Sequence, residues 1–102
     1  MEKQLKEIIE RIIEEVDPDK MILFGSRAKG ENKEWSDYDI CVLKRGIKHR
    51  RKLARRIYRK LFGTGAAVDV IVETPEKFEE LKDKWFLVHS DIAGSGRVIY
   101  EK

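Results

Sequence analysis

The stretch GSRAKGENKEWSDYD, residues 25–39, decides how the rest of this sequence is interpreted. It follows the apolar run MILF at 21–24, which predicts a short buried strand that ends in a tight turn. A glycine and a serine that end a strand and open a helical turn present backbone N–H groups and a hydroxyl to an anion. We therefore predict a phosphate-binding turn at Gly25 and Ser26, where the glycine lets a phosphate approach closely.

Two aspartates close this stretch. Residues 35–43 alternate in polarity and end in ICVL, which predicts a second strand. Asp37 and Asp39 stand two apart on it, so both carboxylates are expected on one face. Two like charges so close need a cation, and carboxylate oxygens suit Mg²⁺. Asp69 interrupts the apolar run AAVDVIV, where an unpaired buried carboxylate would be costly, so it is a third ligand if its strand neighbours the second.

Hydrophobic periodicity predicts the remaining elements. Apolar residues recur at helical spacing over residues 5–16, 47–62 and 75–88. Gly63 is expected to cap the second of these helices, and Trp35 and Trp85 are expected to be core or interface residues. Further strands are predicted at 66–72 and 97–100. The order gives an α/β (α+β) fold, a small mixed β-sheet flanked by helices, in one domain of residues 1–102.

Composition limits the class of protein. Hydrophobic residues make up 41% and charged residues 40%, so we expect a globular chain with a highly charged surface. The single cysteine, Cys41, excludes a disulfide framework and a multi-cysteine metal site, which fits a reducing cytosol. No signal-peptide pattern opens the chain and no apolar run approaches the ~20 residues that span a bilayer. The expectation is a soluble, cytoplasmic protein without a membrane segment.

The segment 44–60 carries a second signal, because basic residues crowd one side of its predicted helix. Most charge runs are solvated surfaces, but this one is dense enough to attract an acidic partner. That partner is either an RNA backbone or an acidic protein surface, and the sequence leaves the two open. The basic residues concerned are Lys48, Arg51, Lys52, Arg55, Arg56, Arg59 and Lys60.

The spacing of Gly25-Ser26, ten residues, Asp37-x-Asp39 and a later strand aspartate resembles the DNA polymerase β-type nucleotidyltransferase superfamily. The short length is similar to its minimal nucleotidyltransferase (MNT) branch, with a palm-like fold. The resemblance implies that Gly25 and Ser26 hold the triphosphate of ATP. It also implies that Asp37 and Asp39 bind two Mg²⁺ ions and that Asp69 binds the catalytic one. Arg27 and Lys29, beside the turn, are expected either to neutralise phosphate charge or to serve only solubility.

The same resemblance implies a reaction and a partner. In the MNT branch the enzyme is the antitoxin of a toxin–antitoxin pair, and it transfers AMP from ATP to a tyrosine of a small helical HEPN ribonuclease toxin. Two alternatives stay open: a non-catalytic antitoxin that acts by binding, and nucleotidyl transfer to RNA or a small molecule. The sequence does not identify the acceptor residue, the base preference, the number of AMP units or the oligomeric state, nor does it establish activity.

Overall fold

One four-stranded sheet with five helices makes up the fold in the computed structural model, which describes residues 2–102. Each predicted strand is present, and the helices follow the apolar periodicity except after Pro75. In chain order the elements are α1 Lys3–Val16, β1 Lys20–Phe24, α2 Gly25–Lys29, β2 Tyr38–Leu43, α3 Arg50–Leu61, β3 Val68–Glu73, α4 Pro75–Leu81, α5 Val88–Ser95 and β4 Arg97–Glu101.

The sheet is mixed, as predicted. Its strand order is β3-β2-β1-β4, in which β1 runs antiparallel to both β2 and β4. β2 and β3 are parallel, so the chain between them must cross back over the sheet, and α3 makes that crossover. This connection brings the starts of β2 and β3 to one edge of the sheet, where β1 ends.

Helices cover both faces of the sheet. On one face α1 and α3 pack over a core that includes Ile8, Ile40 and Ile57. On the other face α4 and α5 pack over a smaller core that includes Cys41, Phe78 and Ile92. Successive residues of β2 alternate between these two cores, as strand geometry requires. We call the two sides the α1/α3 face and the α4/α5 face.

Two of the predicted strands were longer than the observed ones. β2 begins at Tyr38 and not at residue 35, because residues 34–35 form a turn and Asp37 lies just before the strand. β3 begins at Val68, after Ala66 and Ala67. In both places the alternating or apolar pattern continues into the loop, so the pattern alone does not mark where hydrogen bonding starts.

The single helix predicted after Pro75 was wrong. The chain forms α4, then a turn over residues 82–87, then α5. The break lets α5 change direction so that Ile92, 1% exposed, reaches the sheet. Trp85 consequently lies in the turn and is 85% exposed, and Trp35 is 77% exposed, so neither is a core residue.

The second predicted helix was also too long at both ends. Ile47 precedes α3, and Phe62 follows its last residue with 88% of its surface exposed. Gly63 does follow the helix end with a positive φ of 91°, as a glycine after a helix commonly does. Cys41 is fully buried, and burial raises the pKa of its thiol to about 12, so it is an unreactive core residue.

No helix within residues 2–102 is long and apolar enough to cross a membrane.

The packing of α3 predicts the effect of truncating Ile57, which is completely buried. Ile57→Ala should lower the free energy of unfolding by about 2–5 kcal/mol, because it removes buried methyl groups and leaves a cavity. Urea denaturation measures this change. The control is Arg59→Ala on the exposed side of the same helix, with an expected change under about 0.5 kcal/mol. Equal effects of the two substitutions would contradict the packing.

Candidate active site

The centre of the candidate site is a pair of aspartates on neighbouring strands. In the parallel register of β2 and β3, Asp39 is the direct partner of Asp69. Adjacent strands lie roughly 4.8 Å apart, so the two carboxylates are close. Cys41, two residues after Asp39, lies in the core of the α4/α5 face, and Ile71, two after Asp69, packs against it. Both aspartates therefore belong to the α4/α5 face.

Gly25 lies directly against the side chain of Asp39. β1 and β2 pair so that Phe24 lies opposite Asp39, and the chain turns into α2 at the next residue, Gly25. Gly25 has a φ of 73°, and a Cβ atom there would collide with Oδ2 of Asp39 and lie 3.1 Å from its Cγ. A glycine is required for both reasons. Ser26 follows as the second residue of α2 and is half-buried.

Asp37 completes the acidic group from outside the strand. It lies one residue before β2 and is exposed, so regular strand geometry does not fix its side chain on the face of Asp39 as we predicted. Its charge nevertheless acts on Asp39. Partial burial raises the pKa of Asp39, and the charges of Asp69 and Asp37 raise it further. The three carboxylates thus form one electrostatic unit.

The exposure of Asp69 differs from the expectation of a buried strand carboxylate. β3 is an edge strand, and Asp69 is exposed to solvent there. Its charge can be hydrated, so burial alone does not demand a partner for it. Its relevance rests on its register with Asp39.

Arg27 contacts the residues on either side of Asp37. Its guanidinium stacks 4.0 Å over the ring of Tyr38, a residue that packs into the core of the α1/α3 face. Nε donates to the backbone oxygen of Ser36 at 2.9 Å, and Nη2 donates to that of Glu34 at 3.1 Å. The side chain is 9% exposed. In this arrangement Arg27 fixes the loop that leads to Asp37, and its role beside the phosphate-binding turn stays a prediction.

Lys29 is the basic residue of α2 that lies on the side of the aspartates. Its Nζ is 3.5 Å from Oδ1 of Asp91 on α5, which covers the α4/α5 face. The side chain is partly exposed, so this surface ion pair is weak and can be exchanged for another anion.

The donor set fits a hard divalent cation. Asp37, Asp39 and Asp69 offer only carboxylate oxygens, and a cation between them would relieve the repulsion that, after burial, raises the pKa of Asp39. Over residues 2–102 no three His, Cys, Asp or Glu side chains already converge on one point that could hold an ion. The backbone therefore brings the ligands together, and their side chains must turn toward each other to share a cation.

The sequence did not predict that one acidic residue, Glu73, is buried. Glu73 ends β3, is 4% exposed, and forms an ion pair with Nη2 of Arg50 at 2.7 Å. Its other oxygen is 3.2 Å from Nε2 of His89. Four residues separate Glu73 from Asp69 along β3, roughly 13 Å, so this group connects α3, β3 and α5 at the opposite edge of the sheet. The only signal in the sequence is a carboxylate that ends an apolar strand.

The contact of Gly25 with Asp39 generates a test with a matched control. Gly25→Ala and Gly46→Ala both introduce a Cβ at a φ of 73°, but only Gly25 has an atom within 4 Å of that position. Gly46→Ala should cost about 1–2 kcal/mol from backbone strain alone. Gly25→Ala should cost about 1–3 kcal/mol more, since it also displaces Asp39. Chemical denaturation that finds equal losses would contradict the contact.

The raised pKa of Asp39 generates a second test. Because the folded state holds the proton more tightly, ionisation of Asp39 destabilises the fold increasingly as the pH rises above the ordinary value of 3.8. Asp39→Asn removes this charge and should raise the free energy of unfolding at pH 7 in a chelator. The gain should disappear as the pH falls below 3.8. The control is Asp83→Asn, at an exposed position. A lower free energy of unfolding for Asp39→Asn than for the wild type at pH 7 would contradict the inference that the charge of Asp39 destabilises the fold.

Comparison with known proteins agrees with this geometry. The family model of the nucleotidyltransferase domain matches residues 3–92. A relative from Methanocaldococcus jannaschii, named as a candidate protein adenylyltransferase, is 35% identical over 81 residues, which are 79% of this chain and 77% of the relative.

Solved structures share the fold. A candidate nucleotidyltransferase from Sulfolobus solfataricus superposes with a TM-score of 0.69 at 24% identity, over 98% of this chain and 79% of that one. A chain of a toxin–antitoxin complex with AMP-PNP gives 0.66 at 20% identity, over 99% and 75%. A chain of the complex between a tri-AMPylated Shewanella oneidensis HEPN toxin and its MNT antitoxin gives 0.58 at 20%, over 99% and 74%.

At these identities the structural likeness establishes the fold, and it confirms the predicted architecture. The family rests on the sequence matches, which span most of the chain and include the turn at Gly25 and the aspartates. The chain therefore belongs to the nucleotidyltransferase domain family.

Proposed function

We propose that this domain transfers AMP from ATP to a hydroxyl group of a protein, with two Mg²⁺ ions held by its aspartates. The observation that carries the proposal is the direct pairing of Asp39 with Asp69, with Gly25 packed against Asp39 at the end of β1. A turn suited to phosphate and a group of carboxylates suited to Mg²⁺ then lie at the same edge of the sheet.

Each residue has a separate role in the proposed reaction. Gly25 and Ser26 hold the triphosphate by backbone N–H groups and a hydroxyl. Asp37 and Asp39 would hold two Mg²⁺ ions and Asp69 would help to hold the catalytic one. The ions would supply positive charge against the oxygens of the transferring phosphate. The acceptor oxygen bonds to the α-phosphorus, the bond from that phosphorus to the bridging oxygen breaks, and pyrophosphate leaves. Asp69 can accept the proton of the acceptor hydroxyl.

Arg27 is assigned a positioning role in this scheme. Its bonds to the backbone of Ser36 and Glu34 hold the loop immediately before Asp37. The backbone just before β2 is therefore restrained, which limits the entropy lost when a cation is bound. Lys29 lies on the face of the aspartates and is the better candidate for phosphate charge.

The acceptor that we propose is a tyrosine of a cognate HEPN ribonuclease toxin in the cytoplasm, so that the domain acts as an antitoxin. Support comes from the relative named as a candidate protein adenylyltransferase and from fold neighbours in complexes with AMP-PNP and with an AMPylated HEPN toxin. A binding antitoxin without catalysis would have no need for three crowded carboxylates, which cost stability. Transfer to an RNA end or a small molecule remains the alternative reaction.

Intact-mass spectrometry of the HEPN partner tests the proposal. After incubation with this protein, Mg²⁺ and ATP, the partner should gain the mass of one or more AMP units. The same incubation with Asp37→Asn/Asp39→Asn should give no gain, because the ions lose ligands. Peptide fragmentation should locate the adduct on a tyrosine.

A matched control variant removes the same amount of negative charge as the Asp37/Asp39 variant. Glu80→Gln/Asp83→Asn also removes two carboxylates, but at exposed positions in and just after α4, and should retain full transfer. Partner that is unmodified by the wild-type protein would overturn protein adenylylation. Modified and unmodified partner with equal ribonuclease activity would overturn the antitoxin role while leaving the transfer reaction intact.

A further inference from the structure

Positive charge is concentrated in one segment of the chain. Residues 44–68 contain ten Lys and Arg residues and no Asp or Glu, while the rest of the chain carries 12 basic and 19 acidic residues. The modest net charge of +3 hides this division. The segment includes all of α3, so the helix presents a strong local positive field on an otherwise acidic molecule.

Some of these cations are neutralised within the fold. Arg50 pairs with Glu73, Arg56 with Glu15, and Lys60 with Glu14. Arg45 lies 3.9 Å from Glu76, and the side chain of Lys44 donates to the backbone oxygen of Asp17. The remaining five have no carboxylate within 4.0 Å in the part of the chain that the structure describes. These five residues, which we call the basic face, are Lys48, Arg51, Lys52, Arg55 and Arg59.

The basic face lies opposite the buried side of α3. At 100° per residue its four helical members fall within an arc of about 100°, and they are exposed. The buried residues Leu53, Ile57 and Leu61 lie on the other side of the helix. Arg51, Arg55 and Arg59 follow one another at one helical turn, roughly 6 Å, and form a continuous row of guanidinium groups.

Exposed aromatic rings border this row. Tyr58 is 43% exposed and follows Arg55 by three residues, the spacing of neighbours on a helix surface. Phe62 is 88% exposed and comes directly after the helix end, three residues after Arg59. The hydroxyl of Tyr58 accepts a bond from the backbone N–H of Val70 at 2.8 Å, which holds its ring in place. With Gly65 and Val68, the two rings line an open groove of about 480 Å³. A second groove of about 570 Å³, lined by Arg51 and Arg55 among others, lies at the other end of the helix.

We propose that the basic face and these two rings form a binding surface for single-stranded RNA. The cations contact successive phosphates, and Phe62 and Tyr58 stack on unpaired bases. An acidic protein would be matched by the cations alone and would leave an 88% exposed phenylalanine without a contact. A duplex would keep its bases stacked and closed to the rings. RNA is the nucleic acid whose loops and ends present unpaired bases.

The surface is separate from the candidate active site. α3 packs on the α1/α3 face, whereas Asp39 and Asp69 lie on the α4/α5 face. RNA bound along α3 is therefore a ligand and not the acceptor of AMP. The inference does not depend on the proposed transfer reaction.

Fluorescence anisotropy with a labelled 12-nucleotide single-stranded RNA of mixed sequence tests the proposal. The full chain should bind this RNA more tightly than the matched duplex or poly-glutamate of equal charge. Arg51→Gln/Arg55→Gln/Arg59→Gln should weaken binding by about ten-fold or more at 0.15 M salt. It should also reduce the slope of log K against log salt by about 2, as expected when three phosphate contacts are lost from a single strand.

Two further variants make the test specific. Lys77→Gln/Lys82→Gln/Lys84→Gln removes the same charge from the other side of the molecule and should leave RNA binding nearly unchanged. Phe62→Ala should weaken single-strand binding about five-fold or more through lost stacking and leave any duplex binding unaffected. Poly-glutamate bound as tightly as RNA, equal losses in the two triple variants, or no effect of Phe62→Ala would each overturn the proposal.

Discussion

The candidate site depends on strand pairing that holds carboxylates together against their mutual repulsion. Parallel pairing of β2 with β3 sets Asp39 opposite Asp69, and antiparallel pairing of β1 with β2 delivers Gly25 against the Asp39 side chain. The crossover through α3 makes the parallel pair possible, and the cores on both faces hold it. The packing of the two cores therefore stabilises an arrangement in which burial and neighbouring carboxylates raise the pKa of Asp39. A bound cation would reduce the repulsion between these carboxylates.

The two faces of the sheet have different electrostatic characters. The α4/α5 face carries the crowded carboxylates at one edge and the buried Glu73, with Arg50 and His89, at the other. The α1/α3 face carries the row of free cations on α3. Because one helix both makes the crossover and bears this row, a change in its buried side should disturb the aspartates, while a change in its exposed side should not.

Much of this could be predicted from the sequence, because periodicity and spacing are local signals. The apolar stripe of α1 and the turn at Gly25 followed from such patterns, and they agree with the fold. The sequence left open whether the strand of Asp69 neighbours that of Asp39, because tertiary structure sets which strands pair, and the structure supplies that pairing. The break between α4 and α5 did not, since it depends on where Ile92 meets the sheet. The partners of Arg27 and the burial of Glu73 likewise arise from contacts between distant residues, which no local pattern encodes.

We propose that the three aspartates form one site for divalent cations beside a bound nucleotide. Electron paramagnetic resonance titration of Mn²⁺, used in place of Mg²⁺, measures this directly in the presence of a non-hydrolysable ATP analogue. The wild-type protein should bind Mn²⁺ tightly, and Asp39→Asn and Asp69→Asn should each lose most of that binding while staying folded. Undiminished Mn²⁺ binding in both variants would show that these aspartates do not form the cation site.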